Sequence, residues 1–189
     1  MNKLLFGARQ LSVYYPGCAL VIPDPTCSDC PTKELGRVRH LALKKVSYTF
    51  LDITNPVEWA AAIVARNVYV FPYTKGMFTM NPNESSGFGN VEMQLDSYSN
   101  VLELMEPNFI LNRGFWNAMK GAYNFVPIWG SQTQIYQGTV PATIIPSFKI
   151  EDNVKSIIDW NLKIEWTESD LPVITNAPVG TFDRCIDAG

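Results

Sequence analysis

Ile158, Trp160, Leu162, Ile164 and Trp166 alternate strictly with Asp159, Asn161, Lys163 and Glu165. A period of two puts all the apolar side chains on one face, so the pattern predicts a long strand with one buried and one wet side. Val140, Ala142, Ile144, Phe148 and Ile150 fall on one side of a second extended segment, and Glu151-Asp152-Asn153 makes a turn between the two. A long hairpin over 139–151 and 154–167 follows, with Pro141 and Pro146 marking its first strand as an edge or an irregular strand. Nearer the start, Leu41 and Leu43 lead into Val46, Tyr48 and Phe50, with a slip of one position at Lys44-Lys45 that suits a β-bulge. Val68 to Tyr73, Val91 to Leu95 and Val101 to Met105 read as further strands, and Phe125 to Tyr136 as a pair broken at Gly130-Ser131.

Two segments follow a helical period instead. Asn55 can cap a helix whose first residue is Pro56, and Glu58 can reach back toward the cap; Trp59 to Arg66 continues it and Asn67 ends it. Asn112 to Lys120 places Phe115, Trp116, Met119 and Tyr123 on one face, with Gly121 near its end. Residues 74–90, rich in Gly, Ser and Pro, read as a long loop of the kind that reaches a neighbouring subunit. The expected fold is therefore mainly β (β-rich α+β): antiparallel sheet in a sandwich or barrel, with two short helices. The core spans 37–170. It is flanked by an extended N-terminal arm over 1–36, where Pro16, Gly17, Pro23, Pro25 and Pro31 cluster, and a Pro- and Gly-rich C-terminal arm over 171–189.

Composition sharpens this. Apolar residues make up 47% and charged residues only 17%, with five Trp, eight Tyr and ten Phe. So aromatic a chain has either a well-filled core or apolar surface that a permanent interface covers. The net charge is −3 and no basic run exceeds Lys44-Lys45, which argues against a nucleic-acid reader. A passage through which DNA slides stays compatible, since it should hold phosphate weakly. No apolar run approaches the length of a membrane span, and Met1 to Phe6 is too short for a signal peptide, so cytoplasmic folding is expected.

Candidate chemistry is sparse. The one histidine, His40, would have to carry any Ser–His or Cys–His catalysis, and its place at the start of a strand favours a structural role. No phosphate-binding or dinucleotide loop is present, and no pair of carboxylates stands out; no catalytic and no cofactor-binding residue is assigned, and the chain is read as a non-enzyme. The cysteines form the one constellation. Cys27-Ser-Asp-Cys30 presents two thiols across a turn, with Cys18 upstream and Cys185 near the other end. Four thiolates can complete a tetrahedral structural zinc site that staples the two arms together; reduced thiols and disulfides stay open as alternatives.

The run from Cys27 through Pro31-Thr-Lys-Glu-Leu-Gly-Arg-Val-Arg39, then Leu41 to Lys45 and Asp52-Ile-Thr-Asn-Pro-Val-Glu-Trp59, resembles virion structural proteins of crAss-like and other Bacteroides phages. The resemblance covers residues 16–75 most closely. The order of strands, short helix, loop, strands and final hairpin also resembles phage tail-tube and neck proteins. That resemblance implies a homo-oligomeric ring or tube in the virion, contacting other neck, tail or portal proteins, with genomic DNA only in passage and no membrane. A capsid decoration or head-fibre base protein, and a carbohydrate-binding adhesin module using exposed aromatics, are the rival expectations.

Overall fold

A computed structural model describes residues 37–85, 94–131, 133–150 and 158–182. The fold is mainly β, and the sandwich stays open, without closing into a barrel. One sheet has five strands in the order β2-β1-β5-β6-β9: Val68–Phe71, His40–Lys45, Phe125–Gly130, Gln134–Gln137 and Val173–Asn176. The other has four in the order β3-β4-β8-β7: Lys75–Ser85, Gln94–Glu106, Trp160–Glu168 and Thr143–Phe148. Every pairing is antiparallel.

The main core lies between the sheets. Leu41, Leu43 and Trp129 from the first meet Leu102, Leu104, Ile144, Trp160, Leu162, Ile164 and Trp166 from the second. Each such side chain contributes about 1.5–3 kcal/mol on burial. The expected alternation of β8 holds: its inward residues are buried from Trp160 to Glu168, while Asn161, Lys163 and Thr167 are exposed. Its hairpin partner is β7, registered with Ile144 opposite Ile164, and β7 is an edge strand as its prolines require. Phe148, opposite Trp160 at the last pair of β7, rests its ring on Trp160 and Phe109 at the margin of the core and stays 49% exposed, and Ile150 beyond the strand is 67% exposed.

Helix α1 (Pro56–Val64) covers the outer face of the five-stranded sheet, where Trp59 and Ala62 pack on Ala42, Val68, Ile128 and Ile135. Asn55 caps it by accepting from Val57 N at 3.0 Å. Glu58 reaches further back than a capping box: its two oxygens accept from Leu51 N at 2.7 Å and Asp52 N at 2.8 Å. At the other end, Arg66 adopts a left-handed φ of 57° while its N–H bonds Ile63 O and Asn67 N–H bonds Ala62 O, the Schellman pattern. Because sheet and helix sandwich β1 and β5, both are buried on two faces, and even Lys44 is 7% exposed. Burial lowers the Lys44 amine pKa, and it donates to Tyr48 O at 2.8 Å.

Several expectations are corrected. The phase slip at Lys44-Lys45 is a strand end: β1 stops at Lys45, and Tyr48 N bonds Lys45 O in the turn that follows. Residues 75–85, expected in a loop, form β3, an eleven-residue strand. The strand expected at 101–105 is longer, because β4 runs over thirteen residues from Gln94 and takes in Leu95; residues 91–93 of the other expected strand lie outside the described residues. Helix α2 is shorter, Arg113–Ala118; Trp116 and Met119 are buried and Tyr123 is 74% exposed, because the chain leaves the helical path at Gly121 (φ 74°). Strand β9 lies in the stretch expected as a C-terminal arm and extends the five-stranded sheet by pairing with β6.

Candidate interaction surface

Cys18, Cys27, Cys30 and Cys185 all lie outside the described residues, so the zinc expectation stays as stated. Among the described residues, no three His, Cys, Asp or Glu side chains are grouped to hold a metal ion. His40 is 6% exposed and its ring stacks on Phe182, with centroids 4.0 Å apart. The ring lies over Gly130, where a Cβ would stand 1.7 Å from Nε2. The position demands glycine and holds the imidazole as packing.

Two carboxylates that sequence reasoning passed over are buried, Glu106 at 2% and Glu168 at 4% exposure. Glu106 accepts from Asn108 N, from the Asn112 amide and from the Trp116 indole, tying the end of β4 to α2. Glu168 accepts from the Asn100 amide, the Trp166 indole, and both the N–H and hydroxyl of Thr139. Every oxygen is used, so these are structural fasteners. Their parity was the missed signal: Glu168 continues the inward series of β8, and Glu106 that of Leu102 and Leu104.

The remaining surface is organised by the four-stranded sheet. Its outer face presents Lys75, Met77, Thr79 and Asn81 from β3, Glu103 and Met105 from β4, Asn161, Lys163 and Thr167 from β8, and Thr143, Ile145 and Ser147 from β7, all exposed. No described helix covers it. Lys163 and Glu165 pair across it at 2.6 Å, and that hydrogen bond and charge hold the lysine above its usual pKa. Toward one end Asn83 is hydrogen-bonded to Ser97 and Ser99, beside the exposed carboxylates Glu84 and Asp96.

Strands β3 and β4 outrun the sheet. Pairing between β4 and β8 ends at Tyr98 opposite Glu168, whereas β3 and β4 stay paired out to Ser85 and Gln94, past a bulge at Asn83/Glu84. A two-stranded ribbon therefore overhangs the body. The edges β3, β7, β2 and β9 carry no further strand among the described residues. Beside β9, Leu171, Pro172 and Ile174 join Phe78, Met80 and Tyr136 in an apolar groove of ≈ 340 Å³.

At the opposite end of β3 from the overhang, a cavity of ≈ 1060 Å³ opens between Arg37, Arg39, Tyr73, Lys75, Asp159 and Phe182. Thr74 Oγ1 and Asp159 Oδ1, both on its wall, are buried without a hydrogen-bond partner among the described residues. No helix among the described residues is long and apolar enough to cross a membrane. Comparison with protein-family models, curated proteins and solved structures finds no match.

Proposed function

We propose that this chain is a structural subunit of a phage virion, assembling as an oligomeric ring or tube of the neck or tail through which DNA passes. The observation that carries this reading is the four-stranded sheet: among the described residues no helix covers its outer face, its edge strands β3 and β7 take no further strand and only local bonds at Gly76 and Ile144, and an overhanging ribbon extends it. Open edges are an aggregation hazard in a monomer and are used productively when subunits join edge to edge. The exposed apolar side chains Met77, Met105 and Ile145 on the face, and Ile110 and Leu111 near α2, are what a permanent interface would cover.

The residues around Asn83, Ser97 and Ser99 also suit a conduit. Hydroxyls and amides give DNA phosphates none of the cationic contacts that dominate non-specific affinity, so a genome would slide past them. The resemblance of residues 16–75 to virion proteins of Bacteroides phages points the same way, and other neck, tail or portal proteins would pack above and below.

Sedimentation of the purified chain tests the reading. One discrete multi-subunit species across a range of concentrations is expected. A stable monomer or compact trimer would transfer the argument to a capsid decoration protein.

A further inference from the structure

The cavity beside Lys75 is the positive end of an otherwise acidic chain. Among the described residues, three cations, Arg37, Arg39 and Lys75, line it with one carboxylate, Asp159, in a protein of net charge −3. All three cations are exposed, and none forms an ion pair among the described residues. Backbone bonds fix their positions. Val38 and Gly76 exchange two bonds of 3.3 Å, Thr74 N donates to Arg39 O at 2.9 Å, and Arg39 N donates to Gly130 O at 2.9 Å. Arg37 and Arg39, two positions apart on extended chain with buried Val38 between them, share a side.

The complementary charge is on the ribbon of β3 and β4. From Gly76 to Asn112 the sequence has no lysine or arginine and five carboxylates; Glu106 is buried and bonded, Glu103 lies at the Lys75 end and Glu92 lies outside the described residues, which leaves Glu84 and Asp96. Glu84 and Asp96 are exposed on the overhanging ribbon, where no third strand among the described residues screens them. They cannot serve their own cavity. Lys75 and Glu84 lie on the same extended strand, and nine steps of ~3.3 Å separate them by about 30 Å.

We infer that the acidic β3–β4 ribbon of one copy docks at the Arg37–Arg39–Lys75 cavity of the next. Such a contact is head-to-tail: each copy offers a negative ribbon at one end and a positive cavity at the other. Repeated with a closing rotation it gives a ring, without closure a filament. Ribbon backbone N–H groups could also meet the unpartnered Asp159 Oδ1. The inference rests on the assembly reading and adds to it which surfaces meet.

Charge exchange tests it. One full-length variant carries Arg37→Glu with Arg39→Glu; another carries Glu84→Lys with Asp96→Lys. Circular dichroism first confirms that each is folded, with the milder Arg39→Gln and Glu84→Gln pair as substitutes for any that is not. Each charge-reversed variant alone should need about tenfold or more higher concentration to assemble than wild type. Mixed in equal amounts they should assemble again, because each ribbon then finds a cavity of opposite sign. For wild type and the neutral substitutes, assembly should weaken as salt rises past ~0.1 M, where the screening length is about 10 Å. Wild-type assembly with both folded variants unaffected, or variants that weaken and are not rescued by mixing, overturns this contact while leaving the assembly reading intact. A wild type that stays monomeric overturns both.

Discussion

Glu168 offers the sharpest test of how the sandwich is held together. Its Oε1 accepts from Asn100 Nδ2 at 3.0 Å and Trp166 Nε1 at 3.0 Å; its Oε2 accepts from Thr139 N at 2.9 Å and Thr139 Oγ1 at 3.0 Å. Glu168→Gln keeps the shape and replaces one acceptor oxygen with a donor. The cheaper orientation turns the amide nitrogen toward Thr139, whose hydroxyl can reverse and accept. One backbone N–H then loses its partner, and the remaining bonds lose the benefit of a charged acceptor. A hydrogen bond to a charged group is worth about 1.5–3 kcal/mol and an orphaned donor costs about 1–3, so the loss should be about 2 kcal/mol. Glu168→Leu strands all four donors, two of them buried deeply, and should cost about 4 kcal/mol even after relief of the buried charge. For a chain of this size each kcal/mol moves Tm by roughly 2–4 °C, so Glu168→Gln should melt about 4–8 °C lower. Urea unfolding and thermal melts of wild type, Glu168→Gln, Thr139→Val and the double variant form a complete cycle. Stability of Glu168→Gln within about 0.5 kcal/mol of wild type, the range of ordinary surface substitutions, would refute the proposed bonding. So would strict additivity with Thr139→Val, since contacting partners should couple by about 0.5 kcal/mol or more.

Other substitutions probe the rest of the account. Gly130→Ala would put a Cβ 1.7 Å from His40 Nε2, and should destabilise by about 1–3 kcal/mol in chemical denaturation, with His40→Ala restoring part of the loss. Arg66→Gly should stabilise by up to about 1 kcal/mol, because only the left-handed cap at φ 57° is relieved; a loss of stability would mean the Arg66 side chain matters more than its backbone. Cys27→Ser should lower bound zinc, measured by metal analysis, and speed proteolysis of the first 36 residues; wild type purified without metal and with unchanged cleavage in the variant would end the zinc expectation.

Where a residue's neighbours in sequence dictate its surroundings, the fold was legible. The alternation of β8, the cap at Asn55 and the edge character of β7 all follow from local pattern. The pairing of β3 with β4 was not legible, because Gly76, Pro82 and Asn83 look like loop punctuation. Gly76 is there for close approach: a Cβ would lie 1.9 Å from Glu103 O. Pro82 is tolerated because β3 is an edge strand with an unpaired side. The break read between Leu95 and Val101 reflects a run of polar residues, Asp96 and Ser97 on the overhang and Ser99 and Asn100 in the paired sheet, where Asn100 is buried against Glu168. The cationic cavity was invisible for another reason. Arg37 and Arg39 meet Lys75 only through the long-range Val38–Gly76 bridge, which no local pattern encodes. The lack of lysine and arginine from Gly76 to Asn112 was passed over in the sequence, because its carboxylates are scattered and only the β3–β4 pairing groups Glu84 with Asp96.

Negative-stain imaging of the purified chain tests the central claim most directly. The account requires closed rings, or stacks of them, with an open centre and a uniform subunit number. Particles that are dispersed and compact, with no lumen at concentrations where the protein is folded, would contradict it.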